Sequence, residues 1–163
     1  MSSKRIAVYA GSFDPMTTGH LSLARRGARL FDEVILAIGD NPAKRYLLPF
    51  EQRITLAQEC VADIPNIRVE RFEGLLVDYC QRIGAIAILR GLRTSADFGF
   101  EYQIGMANMD MAPQVETVFL LGSPENLFIS SSLVKEIASG GGDVSRYLPA
   151  PVLAPVLAAL GKG

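Results

Sequence analysis

Two rhythms of apolar and polar positions alternate along the chain. Residues 6–10, 34–38, 85–89 and 117–121 are short blocks dominated by apolar side chains, each the length of one strand. Residues 67–72 alternate in character, as a half-buried strand does. Between these blocks, residues 21–31, 50–61, 75–83, 96–111 and 131–139 carry helical spacing, and 150–160 reads as a C-terminal amphipathic helix. Pro113 ends the long fourth helix, and Gly140, Gly141 and Gly142 stop the fifth. Apolar strands separated by helices predict a parallel sheet covered on both faces. With right-handed crossovers, the expected fold is α/β: a doubly wound, Rossmann-like parallel five-stranded sheet. Ligands of such sheets bind beyond the carboxyl ends of the strands, so the chemistry should follow the strands.

The bulk numbers narrow this picture without changing it. A length of 163 residues suits one domain, 1–163, and no internal repeat or low-complexity stretch divides it. Lys plus Arg number 16 against 17 Asp plus Glu, so no basic excess points to nucleic acid or an anionic membrane. Any anion site must be local. No apolar run reaches the roughly 18 residues of a membrane span, and no apolar signal region precedes the first strand. Cys60 and Cys80 lack metal-ligand or redox spacing and read as buried free thiols. The expected location is cytoplasmic.

Four segments carry candidate chemistry, each after a strand. The turn from Gly11 through Ser12, Phe13 and Asp14 to Gly19 and His20 opens the first helix, whose free N–H groups suit phosphate. Gly19 permits close backbone approach, and His20, the chain's one histidine, faces the same anion; capping is its alternative role. Asp14 is expected to cap the turn through its own backbone. Lys44 and Arg45 follow the second strand and could hold phosphate or lie in solvent. Arg90, Gly91, Leu92 and Arg93 follow the fully apolar strand: arginine forks grip phosphate, and ion pairs with Asp97 or Glu101 are a compatible structural role. Ser130, Ser131 and Ser132 start the fifth helix, where N-capping explains one hydroxyl better than three. Neither a Walker loop nor a dinucleotide glycine fingerprint is present.

In this order the segments resemble the nucleotidyltransferase superfamily, and within it the phosphopantetheine adenylyltransferase family. The residues that carry the resemblance are Thr17, Gly19 and His20; Arg90 to Arg93 followed by Asp97 and Phe98; Ile129 through Lys135 and Glu136; and the tail with Gly142, Asp143, Val144, Leu148 and Pro149. It covers nearly the whole chain. The resemblance implies adenylyl transfer from ATP to 4′-phosphopantetheine with Mg²⁺, giving dephospho-coenzyme A and pyrophosphate. It implies catalytic roles for His20, Lys44 and Arg93. ATP would meet Ser12, Phe13, His20, Gly91, Leu92, Arg93, Glu101, Asn126, Leu127, Phe128, Ile129, Ser130, Ser131 and Ser132. Phosphopantetheine would meet Ser12, Lys44, Leu76 and Arg90. Mg²⁺ would be held mainly by ATP phosphates, with no direct protein ligand. A homohexamer and a response to coenzyme A are further implications.

Ser12 stands where the family commonly has threonine, Phe100 where it often has tyrosine, and Asn126 where some members have tryptophan. Two other functions share the fold. One is a sibling adenylyltransferase for nicotinamide or nicotinate mononucleotide, in which Thr17 would typically be histidine. The other is a nonenzymatic nucleotide sensor, which has no use for a second phosphate site at Lys44 and Arg90.

Overall fold

The computed structural model describes residues 4–162. The elements run β1 (Ile6–Gly11), α1 (Thr18–Leu30), β2 (Glu33–Gly39), α2 (Phe50–Cys60), β3 (Ile67–Phe72) and α3 (Leu76–Arg82). They continue with β4 (Ala87–Leu92), α4 (Ser95–Met111), β5 (Glu116–Leu121), a 3₁₀ turn at Pro124–Asn126, α5 (Ser131–Ser139) and α6 (Ala150–Ala159). The five strands are all parallel, in the order β3-β2-β1-β4-β5. The expected doubly wound architecture is therefore present.

Each strand sends alternate side chains to opposite faces. Tyr9, Leu36 and Leu89 join one core with Leu23 of α1, Leu56 of α2, Val134 of α5 and Val152 of α6. Val8, Ile35 and Ile88 join the other with Val77 and Cys80 of α3. The chain goes from β1 outward to β2 and β3, then returns across to β4 beside β1. That reversal opens a crevice at the carboxyl ends of β1 and β4.

Two expectations are corrected. Strand β4 does not stop at Leu89 but continues to Leu92, paired with β5 through Arg90↔Phe119 and Leu92↔Leu121. Arg90 and Gly91 thus lie in the strand rather than after it. A Cβ on Gly91 would sit 2.6 Å from Leu23 Cδ1, so its glycine admits α1 against β4. Helix α6 is not amphipathic, because every residue from Ala150 to Ala159 is apolar. It packs against α2 through the buried Val152 and Val156, while Ala154 and Ala158 face outward.

Both cysteines are free and buried, and burial pushes each thiol up to about 11, away from nucleophilic or redox use.

Candidate active site

The first turn is held from several sides. Phe13 takes φ 47°, a left-handed conformation uncommon for an aromatic residue, and its ring packs edge-on to Tyr9 and His20 with centroids 5.4 and 5.2 Å away. Asp14, 2% exposed, does not cap its own turn as expected. Its carboxylate accepts from the N–H groups of Leu47 and Leu48, both at 2.8 Å, and pairs with Lys135 Nζ at 3.1 Å. One buried carboxylate thereby ties together the loops after β1 and β2 and the helix after β5.

Thr17 is the N-cap of α1. Its hydroxyl accepts from His20 N–H, and the Thr17 N–H donates to His20 Nδ1 at 3.0 Å. A capping histidine and an anion-facing histidine were alternatives in the sequence; here the ring caps the helix and also lines a cavity. The capping bond has a chemical consequence. Because Nδ1 accepts a hydrogen bond from a backbone N–H, the neutral ring carries its proton on Nε2. Burial, reinforced by the charge of Arg93, pulls the His20 pKa down to about 4. His20 is therefore a neutral Nε2–H donor at ordinary pH, rather than a cation.

At the end of β4, Arg90 forms a two-point ion pair with Glu101 of α4, at 2.6 and 2.7 Å. Arg93 donates to the Ile129 carbonyl at 2.9 Å and approaches Asp97 at 3.4 Å, joining β4 to the start of α5. Both compatible ion pairs form. Ser130 is the N-cap of α5, accepting from Leu133 N–H, and the Ser131 hydroxyl donates to the Pro15 carbonyl at 2.8 Å. Asn126 accepts from the Thr18 hydroxyl at 3.0 Å and donates to Ser123. The serine run and Asn126 thus brace the site as well as border it.

Two cavities open at this sheet edge. The first, about 290 Å³, is lined by Ser12, Phe13, His20, Arg90, Gly91, Arg93, Glu101, Asn126, Ile129, Ser130 and Ser131. The second, about 500 Å³, is lined by Ser12, Lys44, Leu76 and Arg90 among others. They share Ala10, Gly11, Ser12 and Arg90. Leu92, Leu127, Phe128 and Ser132 border neither cavity; Phe128 is exposed and stacks edge-on to Tyr147, with centroids 5.6 Å apart. Sequence reasoning missed Tyr9, Ser22, Arg26 and Ser123 in the first cavity, and Asp40, Tyr46 and Glu73 in the second. Arg26 shares a helix with His20, so helical spacing from the motif was the available signal. Tyr46 and Glu73 stand out only once the loops are placed.

A crevice at the topological switch point, bordered by two helix N-termini and by arginine side chains, suits phosphate-bearing ligands. The cytidylyltransferase-like family model matches residues 8–137. Phosphopantetheine adenylyltransferase from Caldanaerobacter subterraneus subsp. tengcongensis is 50% identical over 145 residues, 89% of this chain and 91% of that protein. The enzyme of the same name from Heliobacterium modesticaldum is 50% identical over 149 residues, covering 91% and 89%. That from Xylella fastidiosa is 46% identical over 152 residues, covering 93% and 94%. The chain belongs to the phosphopantetheine adenylyltransferase family, within the cytidylyltransferase-like nucleotidyltransferases. A solved structure from Vibrio parahaemolyticus, provisionally assigned as a nicotinate-nucleotide adenylyltransferase, superposes with a TM-score of 0.73 at 19% identity, covering 98% of this chain and 96% of that one. That likeness speaks for the fold alone.

Proposed function

We propose that the protein transfers the adenylyl group of ATP to 4′-phosphopantetheine, forming dephospho-coenzyme A and pyrophosphate. The observation that carries this reading is the pair of cavities meeting at Ser12 and Arg90. ATP occupies the first, with its phosphates toward His20 and the N-termini of α1 and α5. Phosphopantetheine occupies the second, its phosphate toward Lys44 and Arg90 and its chain beside Leu76.

The acceptor phosphate is already a nucleophile, so the site needs no carboxylate base. An acceptor oxygen forms a bond to the α-phosphorus as the bond to the bridging oxygen breaks, and pyrophosphate leaves with that electron pair. The protein supplies alignment and charge stabilisation. His20 Nε2–H donates to a phosphoryl oxygen, Lys44 and Arg93 offset charge, and Ser12 orients the two phosphates at the shared wall. Arg90 contributes with its guanidinium already fixed by Glu101. ATP contacts also include Phe13, Gly91, Glu101, Asn126, Ile129, Ser130 and Ser131, which line the first cavity, whereas Leu92, Leu127, Phe128 and Ser132 lie outside it.

Among the described residues, no group of three His, Cys, Asp or Glu side chains stands close enough to hold a metal ion. Mg²⁺ would be carried on the triphosphate, held by phosphate oxygens and water. When bound, the ion would neutralise charge on the leaving pyrophosphate.

The chain works as one domain in the cytoplasm, and no described helix is long and apolar enough to cross a membrane. A homohexamer is what the family likeness implies, and α4 offers an apolar face for contact between copies, with Phe98, Tyr102 and Met106 exposed along one side. Coenzyme A contains both halves of the product, so it would compete for both cavities as a feedback ligand.

Pyrophosphate release tests the reaction. It should require ATP and 4′-phosphopantetheine together, and should fail with CTP as donor or nicotinamide mononucleotide as acceptor. ATP binding without pyrophosphate release in the presence of any acceptor would favour a nucleotide sensor instead.

A further inference from the structure

Arg53 lies in α2 and lines neither cavity, yet it is 2% exposed. Its Nη1 donates to the Ser12 carbonyl at 2.9 Å and the Gly39 carbonyl at 3.3 Å, and its Nη2 pairs with Asp40 at 2.9 Å. The guanidinium stacks on the Tyr46 ring at 4.0 Å and lies 5.0 Å from the Phe50 ring. Arg71 reaches that same Phe50 ring at 4.5 Å and pairs with Glu73 at 2.9 Å. Ser12, Asp40, Tyr46 and Glu73 all line the second cavity. A single buried side chain thus connects, directly or through Phe50, three segments that enclose it.

The arrangement is costly as packing alone. Arg53 Nε is buried and finds no partner among the described residues. An apolar side chain would fill the space without that penalty. What an apolar residue cannot do is hold three directed acceptors and a ring face at once, which the planar guanidinium does.

We propose that Arg53 is a positioning residue for the acceptor substrate, setting Asp40 and Tyr46, which line only the phosphopantetheine cavity, without touching substrate. This rests on the reading of the second cavity as the acceptor site. Arg53→Lys keeps the charge but loses the fork and part of the stacking. Its KM for 4′-phosphopantetheine should rise roughly tenfold, the loss of about one charged hydrogen bond. Its Kd for a fluorescent ATP analogue should stay within about twofold. A merely structural role would weaken both ligands together, so equal loss of both, or an unmoved acceptor KM, overturns the proposal. Arg53→Met should show the larger acceptor defect. Should it fail to fold, Phe50→Leu, which removes a ring beside the guanidinium and lines neither cavity, should reproduce the acceptor-selective defect in smaller degree. Wild-type turnover, measured first, separates the two levels. Its absence overturns the reading of the cavity and this inference with it, whereas an active wild type with unchanged R53K kinetics overturns this inference alone.

Discussion

At the residue scale, His20 caps α1 and lines the first cavity, and substitution can separate the cap from the proposed phosphate contact. Glutamine at the same helical position also completes a capping box with Thr17. His20→Gln should therefore melt close to the wild type while losing on the order of 10²–10³ in kcat, the cost of one oxyanion donor. His20→Ala should lose similar activity and about 1 kcal/mol of stability as well. Thermal melts beside kcat distinguish the two variants. The ring's titration supplies a second check. Its folded pKa, about 4, lies below the ordinary 6.5, so the unfolded chain binds the extra proton first. The stability this contributes is present above pH 6.5 and lost as pH falls toward 4. NMR of the single histidine should show the Nε2–H tautomer at pH 7 and no imidazolium until well below pH 6. That His20 would face the crevice was legible in its glycine-flanked turn. That it is neutral was not, because the tautomer follows from a backbone bond that exists only once α1 has formed.

At the element scale, the loops are fastened by buried polar groups rather than by apolar packing alone. Asp14 is the clearest case. Asp14→Ala would leave two N–H groups and Lys135 unpaired, and should cost about 3 kcal/mol in denaturant unfolding. Asp14→Asn retains an acceptor oxygen but loses the ion pair, and should fall between the two. Arg53 and Asp14 were both hidden in the sequence. A charged residue within Phe50–Cys60 reads as solvated helix surface, and an aspartate beside proline reads as turn chemistry. Their partners lie 41 and 34 residues away in sequence, at Ser12 and Leu48, so no local pattern records them. Strand β1 and strand β2, in contrast, were legible from their unbroken apolar runs, because only burial on both faces produces such runs. The end of β4 was not, since Arg90 and Gly91 look like a loop until pairing with β5 carries the strand through them.

At the scale of the whole molecule, strand order determines that the two cavities are neighbours. Placing β4 beside β1 brings Arg90 to Ser12 across the switch point, although 78 residues separate them in the chain (90 − 12). The outer surface carries its own expectation. Tyr102 and Met106, one helical turn apart on α4, are both about half exposed. If that face joins copies of the chain, Tyr102→Glu with Met106→Glu should reduce the molar mass seen by light scattering while leaving the monomer's circular dichroism intact. An unchanged mass would place the assembly surface elsewhere. The helical spacing that located α4 did not reveal this face, since apolar residues on a helix ordinarily signal the core.

The central claim is that two phosphates meet at Ser12 and Arg90 and become joined. ³¹P NMR of a reaction containing ATP, Mg²⁺, 4′-phosphopantetheine and the protein follows that bond directly. The acceptor's phosphomonoester signal should disappear as a pyrophosphate diester signal and free pyrophosphate grow in equal amounts. Loss of ATP while the phosphomonoester signal persists would contradict the claim.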